Sequence, residues 1–387
     1  MRIEPTNLSL GLDIGSNLAK LIVARNLAGQ IAIQRAGAVR IPLGMVEGGV
    51  IRHPRGFGKL LGKWVRTFGV SGTPTVFSIP SDMAALRWIA LPPLEGEERR
   101  NAARIKVRRH LPFSVERAYI EATQPEAPAP GNLGQSLVVA VRKDVVDSRA
   151  EAVHHAGLTP VAAELEAQAV LRVVERRLLE RSAMWRHASL TIIDVGGHQT
   201  QMYVVQNQSL QFIRSVRFGG DLLAAAVAKA LGLALADAAE VLAAPTTYLR
   251  ADGFLVAEWE ESTAVVSVSG ELDKLVREFL RLLRYFRSLH PERSYSGILD
   301  HMVLSGGLAG LSGFLEYLGA NLGLRIETAS PFAGLLAEVD QDGFQEVSQR
   351  QETYTVAVGL ALSGMERKHE LAPGGELERE FEWQRAA

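Results

Sequence analysis

The chain has 387 residues, 47% of them hydrophobic and 22% charged, with a formal net charge of -1 and no cysteine. That length exceeds one ordinary hydrophobic core and points to two or three domains. The near-zero charge gives no global field toward nucleic acid or an anionic membrane, and the lack of cysteine excludes a disulfide framework, a thiolate zinc site and a cysteine nucleophile.

The opening segment MRIEPTNLSLGLDIG has no basic stretch followed by an apolar run, so no secretory leader is expected. No stretch reaches the roughly 18 apolar residues of a membrane span, so any membrane role is expected to act through a partner. Three strands rich in β-branched and aliphatic residues follow, at Leu8–Ile14, Ala19–Arg25 and Ile31–Val39. Helical periodicity runs from Gly56 to Phe68, and a strand ends at Pro80.

Residues 81–163 read as an inserted unit. A short strand at Arg87–Leu91 precedes a helix at Glu95–Leu111, acidic at its front and basic at its rear. Strands at Ala118–Thr123 and Ser136–Arg142 flank the loop PEAPAPGN, and a helix at Asp144–Ala156 stops at Gly157. The order β-α-β-β-α-β predicts a small sheet with helices on one face. The basic run from Arg99 to Arg109 lacks the interleaved aromatics of a nucleic-acid surface, and no nucleic-acid partner is expected.

After a helix at Ala167–Ala183 the opening pattern returns. Leu190–Val195, Gln199–Gln206 and Leu210–Arg217 form a second meander, and its first strand again ends in Asp–aliphatic–Gly. Asp13 and Asp194 lie about half a chain apart, as an internal duplication would leave them. Helices are expected to dominate from Asp221 to Leu289. A strand at His301–Leu304, Gly306-Gly307, a helix at Ser312–Leu322 and a last helix at Glu352–Ser363 complete the pattern. The charged tail from Glu366 is expected to be loosely ordered and too weakly apolar for direct membrane insertion.

Two constellations carry the chemistry. In D-I-G-S-N-L-A-K, Gly15 lets the backbone approach a phosphate, Ser16 and Asn17 add donors, Lys20 supplies the cation, and Asp13 can hold magnesium through its water shell. In D-V-G-G-H-Q-T, Asp194, Gly196, Gly197 and Thr200 repeat that logic. One such turn alone would be only a turn. Two copies, each bounded by strands, point to two jaws of one nucleotide cleft.

These residues together resemble the actin-like ATPase superfamily. GLDIGSNLAK and IIDVGGHQT are similar to its two phosphate motifs, and LSGGLAGL to its adenosine motif. Within it, RWIALPP, HLPF, AGLTPVAAELEAQAV and FIRSVRFGGD resemble the PilM family of type IV pilus assembly. The resemblance implies an α/β, duplicated two-lobe, ribonuclease H-like fold with a small α+β subdomain inserted in the first lobe. The first-lobe core would span 1–80, completed by 164–187 and 352–365. The second lobe would span 188–351, with a helical subdomain at 221–299.

The resemblance also implies roles. Asp13 and Asp194 would be magnesium-associated carboxylates, Gly219 and Gly220 would line the ribose side, and Gly306 and Gly307 the adenine side. Glu240 would embrace the nucleoside, and Glu166 would polarise water. The helix of Glu240 departs from the family's E-x-x-K pattern, with Ala243 where the lysine would stand. The implied protein binds ATP and Mg2+ with at most slow hydrolysis. It sits on the cytoplasmic face of the inner membrane and holds the N-terminal segment of a PilN-like bitopic protein beside the inserted unit. Other components of the inner-membrane platform and self-association are further expected partners. A small-molecule kinase and an FtsA-like division protein are the alternatives. Such a kinase would need an Asp-bearing motif in the first lobe; residues 70–100 show none, and IPSDMAAL gives only Asp82 beside an expected loop.

Overall fold

The structure is a computed structural model, described over residues 8–42, 44–124, 134–181, 189–259, 262–289, 301–338 and 347–370. Its strands are β1 (Leu8–Ile14), β2 (Leu18–Leu27), β3 (Gln30–Arg40), β4 (Val46–Glu47), β5 (Val50–Ile51), β6 (Pro74–Ile79), β7 (Ala84–Ile89), β8 (Ala118–Thr123), β9 (Ser136–Arg142), β10 (Thr159–Leu165), β11 (Ser189–Val195), β12 (Thr200–Gln206), β13 (Ser209–Val216), β14 (Tyr248–Leu249), β15 (Phe254–Trp259), β16 (Ser262–Ser267), β17 (His301–Ser305), β18 (Ile326–Thr328) and β19 (Leu336–Ala337). The helices are α1 (Pro54–Thr67), α2 (Gly96–Val107), α3 (Lys143–His155), α4 (Glu166–Arg181), α5 (Gly220–Leu231), α6 (Leu235–Ala243), α7 (Ser269–Leu289), α8 (Phe314–Leu322) and α9 (Thr355–Glu370).

Two central sheets share one plan. The first runs β10-β6-β1-β2-β3-β19 and the second β13-β12-β11-β17-β18. In each, an antiparallel meander feeds its first strand against a parallel partner, β1 beside β6 and β11 beside β17. The repeated strand order makes the duplication a property of the fold. Every residue of β1 is buried, as befits a central strand covered on both faces.

Helices α1 and α3 cover one face of the first sheet, with Phe57, Leu61 and Val65 meeting Val145 and Val153. Helices α4 and α9 lie between the two sheets. Val170 and Val174 of α4 and Val356 and Leu360 of α9 share a core with Ile192, Val205 and Val303 of the second sheet. The other face of the second sheet packs on α5 to α8. Both Asp-Gly turns therefore lie at the ends of central strands, where α/β folds place their ligands.

Three expectations need correction. The inserted unit is smaller than 81–163: its own sheet is β7-β9-β8, with α2 on one face, while β10 pairs in parallel with β6 and α3 packs on α1. The apolar stripe of α3 and the register of β10 commit both to the first lobe. The second-lobe subdomain is also not purely helical, because β14-β15-β16 form an antiparallel sheet. Asp252-Gly253 makes its turn, with Gly253 at φ +79, and the segment Thr263–Val266, three of its four residues β-branched, supplies its last strand. Finally, α9 extends to Glu370, so the first residues of the charged tail are helical. The loop PEAPAPGN and the tail beyond Glu370 lie outside the described residues.

Candidate functional site

The two hairpins share one register and one closing hydrogen bond. Ile14 pairs with Ala19 and Val195 with Thr200. Each turn closes with the same hydrogen bond, Gly15 N–H to Leu18 O and Gly196 N–H to Gln199 O, both at 3.0 Å. The register sets Asp13 directly across from Lys20, and Lys20 Nζ lies 2.8 Å from Asp13 Oδ2. In the second hairpin Gln201 stands across from Asp194, so only the first jaw carries a cation at that position. Ser16 and Asn17 are exposed at the tip of the first turn.

Around the hairpins, charged groups converge from β1, β2, β11, α3 and α4. Glu166 opens α4, where the helix dipole favours a carboxylate. The Ser81 N–H approaches Glu166 Oε2 at 3.4 Å, and Ser81 Oγ accepts from the Ala167 N–H at 2.9 Å. Ser81 Oγ also lies 3.5 Å from the hydroxyl of Tyr203, which comes from the other sheet. Burial, reinforced by repulsion from Asp13 and Asp194, pushes Glu166 well above the usual carboxylate range, although Arg149 pulls the other way. Burial also lifts Asp194 to about 6, with Lys20 opposing and Asp13 assisting. Burial works against the Lys20 ammonium, but Asp13, Asp194 and Glu166 outweigh it and raise its pKa above the usual value.

Several expected residues are held by contacts within the protein. The Thr200 hydroxyl is buried and donates to Phe218 O at 2.8 Å, so its proton is spent on backbone. The Gly220 N–H bonds Gly196 O and the Asp221 N–H bonds Gly197 O, so the start of α5 braces the second turn. Gly219 makes that approach feasible, because a Cβ there would sit 2.2 Å from Gly197 O. Gly306 has φ +92, and a Cβ on it would meet Val195 O at 2.5 Å and Asp194 Oδ1 at 2.8 Å. Gly307 faces open space. Glu240 reaches across to the first lobe and pairs with Arg40 at 2.6 Å. His198 is 73% exposed, as its turn position predicts, and its Nδ1 lies 3.6 Å from Asp221 Oδ2.

Four contributors escape motif reading. Arg149, fully buried, donates to Ile14 O and Ser78 O at 3.0 Å and to Gly49 O at 3.0 Å, clamping the strand end that carries the first turn. The Ser78 hydroxyl accepts from the Ile14 N–H at 2.9 Å. Asp221 accepts from Asn17 across the cleft, and Arg40 pairs with Glu240. None of Arg149, Ser78, Asp221 and Arg40 lies in either Asp-Gly turn; strand register and sheet order bring them there. A cavity of about 400 Å³ between β13 and α7, bordered by Arg217, Lys274 and Arg281, contains none of the expected site residues.

A nucleotide with a divalent ion fits this chemistry. Asp13, Asp82, Glu166 and Asp194 face two cations, Lys20 and Arg149, in electrostatic reach of one another. Asp82 Oδ1 is buried with no hydrogen-bond partner. The acids outnumber the cations, which a divalent ion would redress. Among the described residues no three His, Asp or Glu side chains are grouped to ligate a metal directly. A magnesium ion would therefore be held through water by Asp13 and Asp194 and by the phosphates themselves. Asp82 lies in the turn Ser81–Met83 beside Glu166, rather than apart from the cluster.

Duplicated sheets with two facing Asp-Gly hairpins define an actin-like protein. Residues 11–365 match the family described as type IV pilus assembly protein PilM. The chain belongs to that family. Its structure is similar to the solved PilM–PilN type IV pilus biogenesis complex, with TM-score 0.74 and 23% identity over 94% of this chain and 99% of that one. It is also similar to MreB5 of Spiroplasma citri bound to AMPPNP, with TM-score 0.50 and 14% identity over 95% and 98% of the two chains. A third match is the ethanolamine utilization protein EutJ of Carboxydothermus hydrogenoformans, with TM-score 0.50, 12% identity and coverage of 92% and 89%. No single helix among the described residues is long and apolar enough to cross a membrane.

Proposed function

We propose that this protein is an ATP–magnesium-binding scaffold of type IV pilus assembly. It holds the N-terminal cytoplasmic segment of a PilN-like inner-membrane protein, and its lobes close on the nucleotide. The observation that carries the nucleotide half is the convergence of Asp194 from the second lobe and Glu166 at the start of α4 on the Lys20–Asp13 pair of the first. The MreB5 structure, similar in fold, is bound to AMPPNP, which supports the same ligand class here. Family membership and the PilM–PilN complex support the partner.

The peptide would lie between the first lobe and the inserted β7-β9-β8 unit. There Tyr119 of β8 already bridges to Asp147 of α3 at 2.9 Å. An extended segment could add main-chain bonds at a sheet edge and place side chains in adjoining pockets. Residence at the cytoplasmic face would come through that partner, and other platform components or a second copy of the chain could join the same assembly.

Glu166 is the candidate water-polarising group. Burial and the neighbouring Asp13 and Asp194 raise its pKa well above the usual carboxylate range, which favours its neutral form before a cation arrives and supports slow or dispensable hydrolysis. Calorimetric titration with ATP–Mg2+ and with a PilN-type N-terminal peptide tests the reading. Binding of both is expected; binding of neither removes it. Turnover at or above about one per second by the purified chain would overturn the slow-hydrolysis part.

A further inference from the structure

Two side-chain contacts cross from lobe to lobe at the rim of the cleft. Asn17, at the tip of the first turn, donates from Nδ2 to Asp221 Oδ1 at 2.6 Å. Arg40 places Nη2 2.6 Å from Glu240 Oε1. The Arg40 and Glu240 side chains are 52% and 59% exposed. An ion pair that wet contributes little to stability, so stability does not explain it.

Its position is more informative. Arg40 ends β3 in register with Leu18, and the next residue, Ile41, bonds Asn17 O through its N–H at 2.8 Å. The backbone that shapes the first phosphate turn thus also aims this guanidinium. Glu240 is held from the other side by α6, whose Ala238, Val241 and Leu242 are buried in the second-lobe core with Leu223 and Val227 of α5. One turn after Glu240 stands Ala243, which offers no charge. The two deeper cations are committed, Lys20 to Asp13 and Arg149 to backbone carbonyls. Arg40 spends one nitrogen on Glu240 and remains half exposed, with planar donors to spare.

We propose that Arg40 is a nucleotide-contacting residue, a cation lent by the first lobe that works with Glu240 on the sugar–base end of a bound nucleoside di- or triphosphate. Glu240 accepts from the sugar hydroxyls. Arg40 fixes that carboxylate and presents its flat face and free N–H groups to the nucleoside. Because the two halves of this contact come from different lobes, occupancy ties the lobes together at the rim. The proposal rests on the nucleotide reading above and adds a residue to that site.

The test uses the full chain and calorimetric titration with ATP–Mg2+ and ADP–Mg2+. Wild type, Arg40→Ala, Glu240→Ala, the double variant and Lys20→Ala are compared, with melting temperatures taken without nucleotide. Arg40→Ala is expected to lose about tenfold in affinity for both nucleotides alike, since both share the sugar and base. The double variant should lose little more than either single one. The nucleotide-free melting temperature of Arg40→Ala should stay within about 1 °C of wild type. Unchanged affinity of Arg40→Ala beside a weakened Lys20→Ala overturns the proposal and leaves the nucleotide reading standing. No nucleotide binding by wild type overturns both. A loss confined to ATP would put Arg40 on the terminal phosphate and overturn the sugar–base assignment. Unfolding of Arg40→Ala would contradict the exposed pair on which the argument stands and overturn it as well.

Discussion

Arg149 carries a positive charge into the first lobe and spends it on the carbonyls of Gly49, Ile14 and Ser78. It is the largest fully buried side chain described. Burial lowers its pKa, while Glu166, Asp13 and Asp82 act to keep it charged. Removing it strands two strand-end carbonyls and leaves the acids less compensated. Arg149→Met should therefore cost about 3–5 kcal/mol, read from urea unfolding monitored by far-UV circular dichroism. A loss below about 1 kcal/mol would show that the clamp matters little. Asp194 gives a pH signature. Its carboxyl rises from 3.8 to about 6 on folding, so the neutral form is favoured in the native state. Its contribution to stability is fully present below the unfolded value and is lost as pH rises through about 6. Asp194→Asn should thus stabilise the nucleotide-free protein by about 1–2 kcal/mol at pH 7.5, after discounting for its partial exposure, and by almost nothing near pH 4. An equal effect at both pH values would refute the assignment. At this scale the motif residues were legible, because Asp13, Gly15, Lys20, Asp194 and Gly196 sit within single hairpins. Arg149 was not, because its partners come from distant strands and nothing local marks a helical arginine as buried.

Among the elements, α9 does the most joining. Its backbone runs so close to β1 and α4 that side chains are excluded at the crossings. A Cβ on Gly11 would lie 2.0 Å from Ala357 O, and one on Gly359 2.0 Å from Ala169 O. Gly359→Ala should destabilise by about 2–3 kcal/mol through overpacking, despite alanine's better helix propensity. Thermal denaturation would settle the sign, and a stabilised variant would mean the helices can part at no cost. Arg172 locks the same junction, pairing with the buried Glu164 of β10 and at 2.9 Å with Glu366 of α9, while also donating to Gly359 O at 3.2 Å. The Ser363 hydroxyl bonds Glu164 at 2.5 Å. Element types were legible wherever a strand or helix had a clean period. The sheet at 248–267 was not, since Tyr248–Leu249 is two residues long and β16 is half exposed, and the flanking alanine-rich helices swamp it. Membership of α3 and β10 was hidden for a different reason: order along the chain cannot say which sheet a strand joins.

For the whole molecule, α4 and α9 form the shared floor of both lobes, and the rim contacts Asn17–Asp221 and Arg40–Glu240 sit opposite that floor. Closure on a nucleotide should then be a modest rocking about α4 and α9. If the closed form holds the peptide better, ATP–Mg2+ will raise affinity for a PilN-type segment, and the segment will raise affinity for ATP–Mg2+ by the same factor. Fluorescence anisotropy of a labelled peptide, with and without nucleotide, measures the first arm, and calorimetry the second. Equal peptide affinity in both conditions would uncouple the sites.

The position of α9 in the chain has a consequence for synthesis. The helix that covers β1 is encoded at 355–370, after the whole second lobe. A ribosome therefore releases β1, with its fully buried Leu10, Leu12 and Ile14, long before their cover exists. The second lobe, contiguous along the chain, can settle while translation continues, whereas the first must wait until α9 has been made. Premature termination anywhere before Thr355 should leave an exposed strand core for holdase chaperones and proteases, even in products that retain every residue of the two Asp-Gly turns.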